Sequence, residues 1–135
     1  MSGSGNIVRR NYVSGAAGYG IHVYDEKKNS HSGIIENGII DGNILSANRA
    51  AGVILATGDE VNIVRNMIVR NNITHDNGYA GIELRVKLEN VEVYNNTVYE
   101  DSIGIRVARC CSVVSSIHGL EIINNIVDLR DSGAS

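Results

Sequence analysis

His22, Tyr24 and Asp25 stand within four residues of one another in the segment GYGIHVYDE. An imidazole, a phenol and a carboxylate are side chains that take and give protons in general acid–base catalysis. Farther along, Glu83 and Arg85 are two residues apart and Arg106 follows, which supplies a carboxylate and two guanidiniums able to bind hydroxyl or carboxylate groups. Removing a proton from a carbon beside a carboxylate needs such a set: a base, an acid and a cation. The same residues also read as an ordinary solvated face, with Glu83 and Arg106 as an opposite-charge pair and His22 and Tyr24 half-buried on a strand.

The other reactive groups carry less. Asp25 with Glu26, and Asp59 with Glu60, would offer oxygens to calcium if their loops stacked, but calcium wants about six or more converging ligands, so no metal or cofactor is expected. His75, Asp76 and Asn77 precede Gly78 in a stretch that turn chemistry explains. His31 and His118 fall in connections and receive no role. Cys110 and Cys111 are adjacent, which strains a bridge between them, and beside Arg109 they read as plain thiols. No Cys or His spacing suits a structural zinc site.

What must position these groups is a repeat. Asn11 leads to the triplet Gly20-Ile21-His22-Val23, with Gly followed by an apolar, any and apolar residue; Asn43 leads to Gly52-Val53-Ile54-Leu55, Asn72 to Gly81-Ile82-Glu83-Leu84, and Asn96 to Gly104-Ile105-Arg106-Val107. A fifth unit starts at Asn125. Three residues before each Asn is Val8, Ile40, Val69, Val93 or Ile122; two residues after it is Val13, Leu45, Thr74, Val98 or Val127. Alternation of period two on both sides of a fixed Asn predicts two short strands joined by a tight turn. Asn suits that corner because it tolerates the left-handed backbone, and identical Asn side chains can bond from coil to coil.

Units of 24 to 32 residues with three short strands cannot bury their apolar face alone and must stack. The expected fold is all-β: a single-stranded parallel β-helix of about four full coils plus a partial fifth, spaced about 4.8 Å apart. It forms one domain over residues 1–135, with a flexible start at 1–5, repeats over 6–133, and a make-up that fits a fragment of a longer solenoid. The outward positions two residues after Gly read His22, Ile54, Glu83, Arg106; those four after it read Tyr24, Ala56, Arg85, Ala108.

Composition agrees. Ile and Val (18 and 15) far outnumber Leu (6), with 16 Asn, 15 Gly and no Pro, which suits strands and turns and disfavours a helical bundle. A net charge of −3 without a basic run removes the field that would attract nucleic acid or an anionic membrane. No apolar run is long enough to span a bilayer, and no secretory signal is present in this chain.

Stretches such as NVEVYNNTVYEDSIGIRV and LEIINNIVDLRD resemble the repeat of pectate-lyase-like parallel β-helix proteins. The resemblance implies right-handed winding, an extracellular or cell-surface setting and a carbohydrate-active module that binds or modifies an acidic polysaccharide. GYGIHVYDE is loosely similar to the catalytic stretch of mannuronan C5-epimerases, although a chain without Pro lacks that family's Asp-Pro-His run. If the chain is an enzyme, that likeness implies a uronan lyase or C5-epimerase, with His22, Tyr24 and Asp25 as catalytic candidates and Glu83, Arg85 and Arg106 on the substrate. The alternative is a non-catalytic structural or interaction module that associates with itself, end to end, through open coil ends.

Overall fold

A computed structural model describes residues 1–25, 33–57, 62–85, 87–108 and 116–129. Among them there is no helix, and fifteen strands are arranged in three parallel sheets. The first contains β1 (Ile7–Arg9), β5 (Ile39–Asp41), β8 (Ile63–Arg70), β11 (Leu88–Tyr94) and β14 (Ile117–Ile123), with β4 (Ile34–Glu36) also paired to β8. The second runs β2 (Tyr12–Ser14), β6 (Ile44–Ser46), β9 (Ile73–His75), β12 (Thr97–Asp101) and β15 (Ile126–Leu129). The third holds the triplets: β3 (Ile21–Val23), β7 (Val53–Leu55), β10 (Ala80–Arg85) and β13 (Ile103–Ala108). The chain visits the sheets in rotation and pairs each strand with its equivalent one turn later, which is a parallel β-helix of four coils and two thirds of a fifth.

The apolar columns run through the centre as the spacing predicts. Val8, Ile40, Val69, Val93 and Ile122 are partners in register, as are Val13, Leu45, Thr74, Val98 and Val127. Ile40, Val69, Val93, Leu45 and Val98 are fully buried, whereas Ile122 and Val127 are exposed because no described strand lies beyond the fifth coil. At the start of the chain Gly5 donates to the Glu36 carbonyl, and Ser4 bridges to Glu36.

Asn11, Asn43, Asn72, Asn96 and Asn125 form a continuous hydrogen-bonded ladder. The main-chain N–H and the Nδ2 of each Asn both donate to the Oδ1 of the Asn in the next coil, at 2.9 to 3.0 Å. The expected backbone reason was misplaced. The left-handed residue is the one before the ladder Asn, namely Arg10, Gly42, Asn71, Asn95 and Asn124, with φ between 53° and 66°. The ladder Asn is therefore selected for its side-chain bonds, and its neighbour for the turn.

The triplet Gly residues also have a packing reason. Their φ values are not left-handed, but a Cβ at Gly20 would meet the Gly52 carbonyl oxygen at 2.7 Å, and one at Gly81 would meet Thr74 Oγ1 at 2.4 Å. Each Gly lets the corner before the third sheet close on the core.

A second ladder escaped the sequence reading. Asn48 donates through Nδ2 to Asn77 Oδ1 at 2.9 Å, and the Asn77 N–H donates to Asp101 Oδ1 at 2.6 Å. Asp101 is fully buried, and its other oxygen accepts from Thr74 Oγ1 at 2.9 Å. This explains both the one polar residue in the second column and the one acid in an Asn position. Burial pushes the Asp101 carboxyl up, against the hydrogen bonds from Asn77 and Thr74 that pull it down. A carboxyl raised on folding contributes stability that is full below its unfolded value of 3.8 and is lost as pH rises through the higher folded value. Asp101→Asn keeps an acceptor for Asn77 and gives Thr74 a donor instead. Urea denaturation across pH is therefore expected to show the variant gaining on the native chain as pH rises above 3.8; a difference independent of pH would refute this assignment.

Candidate functional site

The third sheet presents His22, Ile54, Glu83 and Arg106 in one outward ladder, since β3, β7, β10 and β13 pair in that register. Alternation then decides which neighbours join them. Ile21 and Val23 are buried in the core while His22 and Tyr24, of opposite parity, are only half-buried. Their rings lie 4.8 Å apart, and the Tyr19 ring lies 4.7 Å from that of His22. His22 thus contacts two tyrosine rings.

Asp25 does not join these rings. It continues the inward parity of Val23, is 8% exposed, and its main-chain carbonyl accepts a bond from Asn62 Nδ2 at 3.2 Å. Of the three residues drawn together by sequence proximity, the structure assembles His22 and Tyr24 and sets Asp25 apart.

Glu83 departs from the expected solvated position. Its side chain has no exposed surface, and it is held by two guanidiniums. Arg85 donates in bidentate fashion, Nε to Oε1 at 2.8 Å and Nη2 to Oε2 at 2.9 Å; Arg106 donates from Nη1 to Oε1 at 2.5 Å. The Arg106 guanidinium also lies over the Tyr79 ring, 5.3 Å from its centroid. A carboxylate taken out of water is tolerated only with such pairing, and removing a partner would leave an uncompensated buried charge. Glu83 consequently anchors other side chains and offers no free oxygen to a ligand. Arg85 and Arg106 keep 24% and 31% of their side-chain surface and remain reachable.

The electrostatics follow from this arrangement. Two guanidiniums against one carboxylate leave a local excess of positive charge. His22 is held below its usual value, by burial first, then by the Met1 ammonium and the Arg85 guanidinium. Its imidazole is accordingly neutral at neutral pH and able to accept a proton. Tyr19 and Tyr79 extend the site beyond the residues singled out from sequence. Both lie in the corner before a triplet Gly; Tyr19 meets His22 within one coil, whereas Tyr79 meets Arg106 by cross-coil packing that sequence spacing does not express.

Among the described residues no group of three or more His, Cys, Asp or Glu is placed to hold a metal. Glu26, His31, Asp59, Glu60, Arg109, Cys110 and Cys111 lie outside the described residues. His75 ends β9 with its ring stacked on Tyr99 at 4.8 Å, and His118 lies within β14 rather than in a connection.

A family model described as a right handed beta helix region matches residues 1–134. No curated protein and no solved structure matches the chain.

Proposed function

The chain belongs to the right-handed β-helix family, and from that premise we propose that its third sheet is a binding face for an acidic polysaccharide, with uronan lyase or C5-epimerase chemistry as the reaction its side chains would serve. One observation carries the reading: two reachable guanidiniums, locked by a buried carboxylate, lie on the same sheet as a neutral imidazole in contact with two tyrosines. Arg85 and Arg106 would pair with the carboxylate of a uronate residue, raising the acidity of the adjacent carbon. Neutral His22 would take the proton from that carbon. The Tyr24 phenol would supply a proton, to the glycosidic oxygen in elimination or to the opposite face of the carbon in epimerisation. Tyr19 and Tyr79 would pack against sugar rings. Glu83 is a positioning residue, and Asp25 falls out of the set because of its inward parity.

The test is affinity electrophoresis through gels containing alginate, pectin or neutral dextran, combined with ultraviolet absorbance for unsaturated uronate and proton NMR of the polymer for epimerisation. Retardation by alginate or pectin alone, abolished in Arg85→Ala/Arg106→Ala, is expected. Equal migration in all three gels would rule out the binding reading.

His22 gives an independent check. Because its value is lowered by burial and by Arg85, Arg85→Met is expected to move the NMR titration of the His22 ring upward, toward the ordinary histidine range. An unchanged titration would mean that the guanidinium does not act on this imidazole. The expected acidic limb of any activity lies below the ordinary histidine range and shifts with it.

A non-catalytic interaction module is the second reading, and the exposed apolar residues of the last coil, Ile122, Ile126, Val127 and Leu129, favour it.

A further inference from the structure

The two ends of the solenoid are complementary rather than alike. Two sheets have β14 and β15 in a fifth coil, while among the described residues the third has no strand beyond β13, which leaves a recess of one strand at that sheet. A cavity of about 510 Å³ opens in the recess, lined by Ile103, Gly104, Ile105, Ile122, Val127 and Leu129. At the other end the same sheet projects. The Met1 nitrogen donates to the His22 carbonyl at 2.6 Å and the Tyr24 N–H donates to the Met1 carbonyl at 3.1 Å, the parallel pattern about Val23, one strand spacing beyond β3.

The Asn ladder has the same polarity. From Asn11 to Asn96 each member donates to the Oδ1 of the Asn in the next coil, so among the described residues the Asn11 Oδ1 receives no bond and the Asn125 N–H has no acceptor. Only opposite ends brought together satisfy both; like ends would set acceptor against acceptor or donor against donor.

We propose that this chain stacks head to tail on a second copy of itself, with β14 and β15 of one copy pairing in parallel with β1 and β2 of the next. The internal register dictates the contacts. Ile7, Ile39, Ile68, Glu92 and Glu121 form one outward ladder, so the next copy's Ile7 falls opposite Glu121. By the same rule Ile122 meets Val8, Val127 meets Val13, and Asn125 donates to Asn11. The recess of one copy receives the Met1 projection of the next. Such a contact is heterologous and leaves both outer ends free, so it grows into an open filament rather than a closed dimer. It also repeats the Arg85 and Arg106 face along one axis, although the stacking does not depend on what that face binds.

Register makes the test specific. Ile7→Lys would place a cation opposite Glu121 and is expected to strengthen association. Sedimentation velocity of the full chain over a wide concentration range should show mass growing past the dimer. Like charges directly opposite one another in a sheet are unfavourable, so Ile7→Glu is expected to weaken association about fivefold. The Ile7→Glu/Glu121→Lys double variant should restore it. Ile7 is 61% exposed and Glu121 is exposed, so circular dichroism should show the β-helix intact in all variants. A native chain that stays monomeric, a species that stops at the dimer, or association indifferent to the charge swap would each overturn the proposal.

Discussion

Val69→Asp is expected to leave the chain unfolded at room temperature, with loss of the strand signal in circular dichroism and of the cooperative urea transition. Val69 has no exposed surface, and it lies at the middle of its column, between Ile40 and Val93. A carboxylate there has apolar neighbours above and below and no cation in the column, so it must either stay charged without a partner or take a proton and remain unpaired. Either course costs on the order of 5 kcal/mol. Total stability for a domain of this size is about 5–15 kcal/mol, and adjoining coils share their interface with Val69. Val69→Ala, which only empties space, is expected to cost roughly half as much and to leave a folded chain with a lower urea midpoint. A folded Val69→Asp chain with unchanged midpoint would mean that the column does not form the core.

The second large effect is expected at Asn72. Its side chain makes four bonds: Oδ1 accepts from the N–H and Nδ2 of Asn43, while Nδ2 donates to Asn96 Oδ1 and to the Ile40 carbonyl. Asn43, Asn72 and Asn96 are essentially without solvent exposure, so Asn72→Ala strands donors above and acceptors below where water cannot replace the lost partner. Each unsatisfied buried group costs roughly 1–3 kcal/mol, and the total is expected to be on the order of 4 kcal/mol. Asn72→Asp should be as damaging, because it keeps the acceptor but turns a donor toward two oxygens into a negative charge facing them. The preceding Asn71 gives the internal comparison. It is exposed with φ at 55°, and Asn71→Gly, which suits that backbone, is expected to change stability by no more than about 1 kcal/mol despite losing a bond to Asp41. Urea midpoints of the two variants measure the difference; similar losses at 71 and 72 would refute the separation of turn residue from ladder residue.

That separation shows where reading the chain stops being sufficient. Asn71 and Asn72 are the same residue type, adjacent, and both recur from coil to coil as Asn95 with Asn96 and Asn124 with Asn125. Their spacing points to a corner and to stacking, but which one turns the backbone depends on φ, and φ follows from how two strands meet. The second ladder was hidden for a different reason. Asn48, Asn77 and Asp101 each fall five residues after a ladder Asn, but identity is broken at the last step, so a column sought by residue type alone does not show.

The site residues divide in the same way. That His22, Glu83 and Arg106 share one ladder was determined by the sequence alone, because the Gly-led triplet sets strand register and a period of two sets the face. The coil count, the interior columns and the Asn ladder were likewise determined locally, by alternation repeated at a nearly constant offset. Only the tertiary structure decided that Glu83 is buried beneath Arg85 and Arg106 and that Tyr79 of another coil lies under the Arg106 guanidinium. Strand alternation assigns a side chain to a face of a sheet, whereas its exposure depends on which long side chains from other coils fold over it. The direction of the ladder at the two ends has the same origin: each Asn is chemically identical, and only the stacking of coils gives one end a free acceptor and the other a free donor.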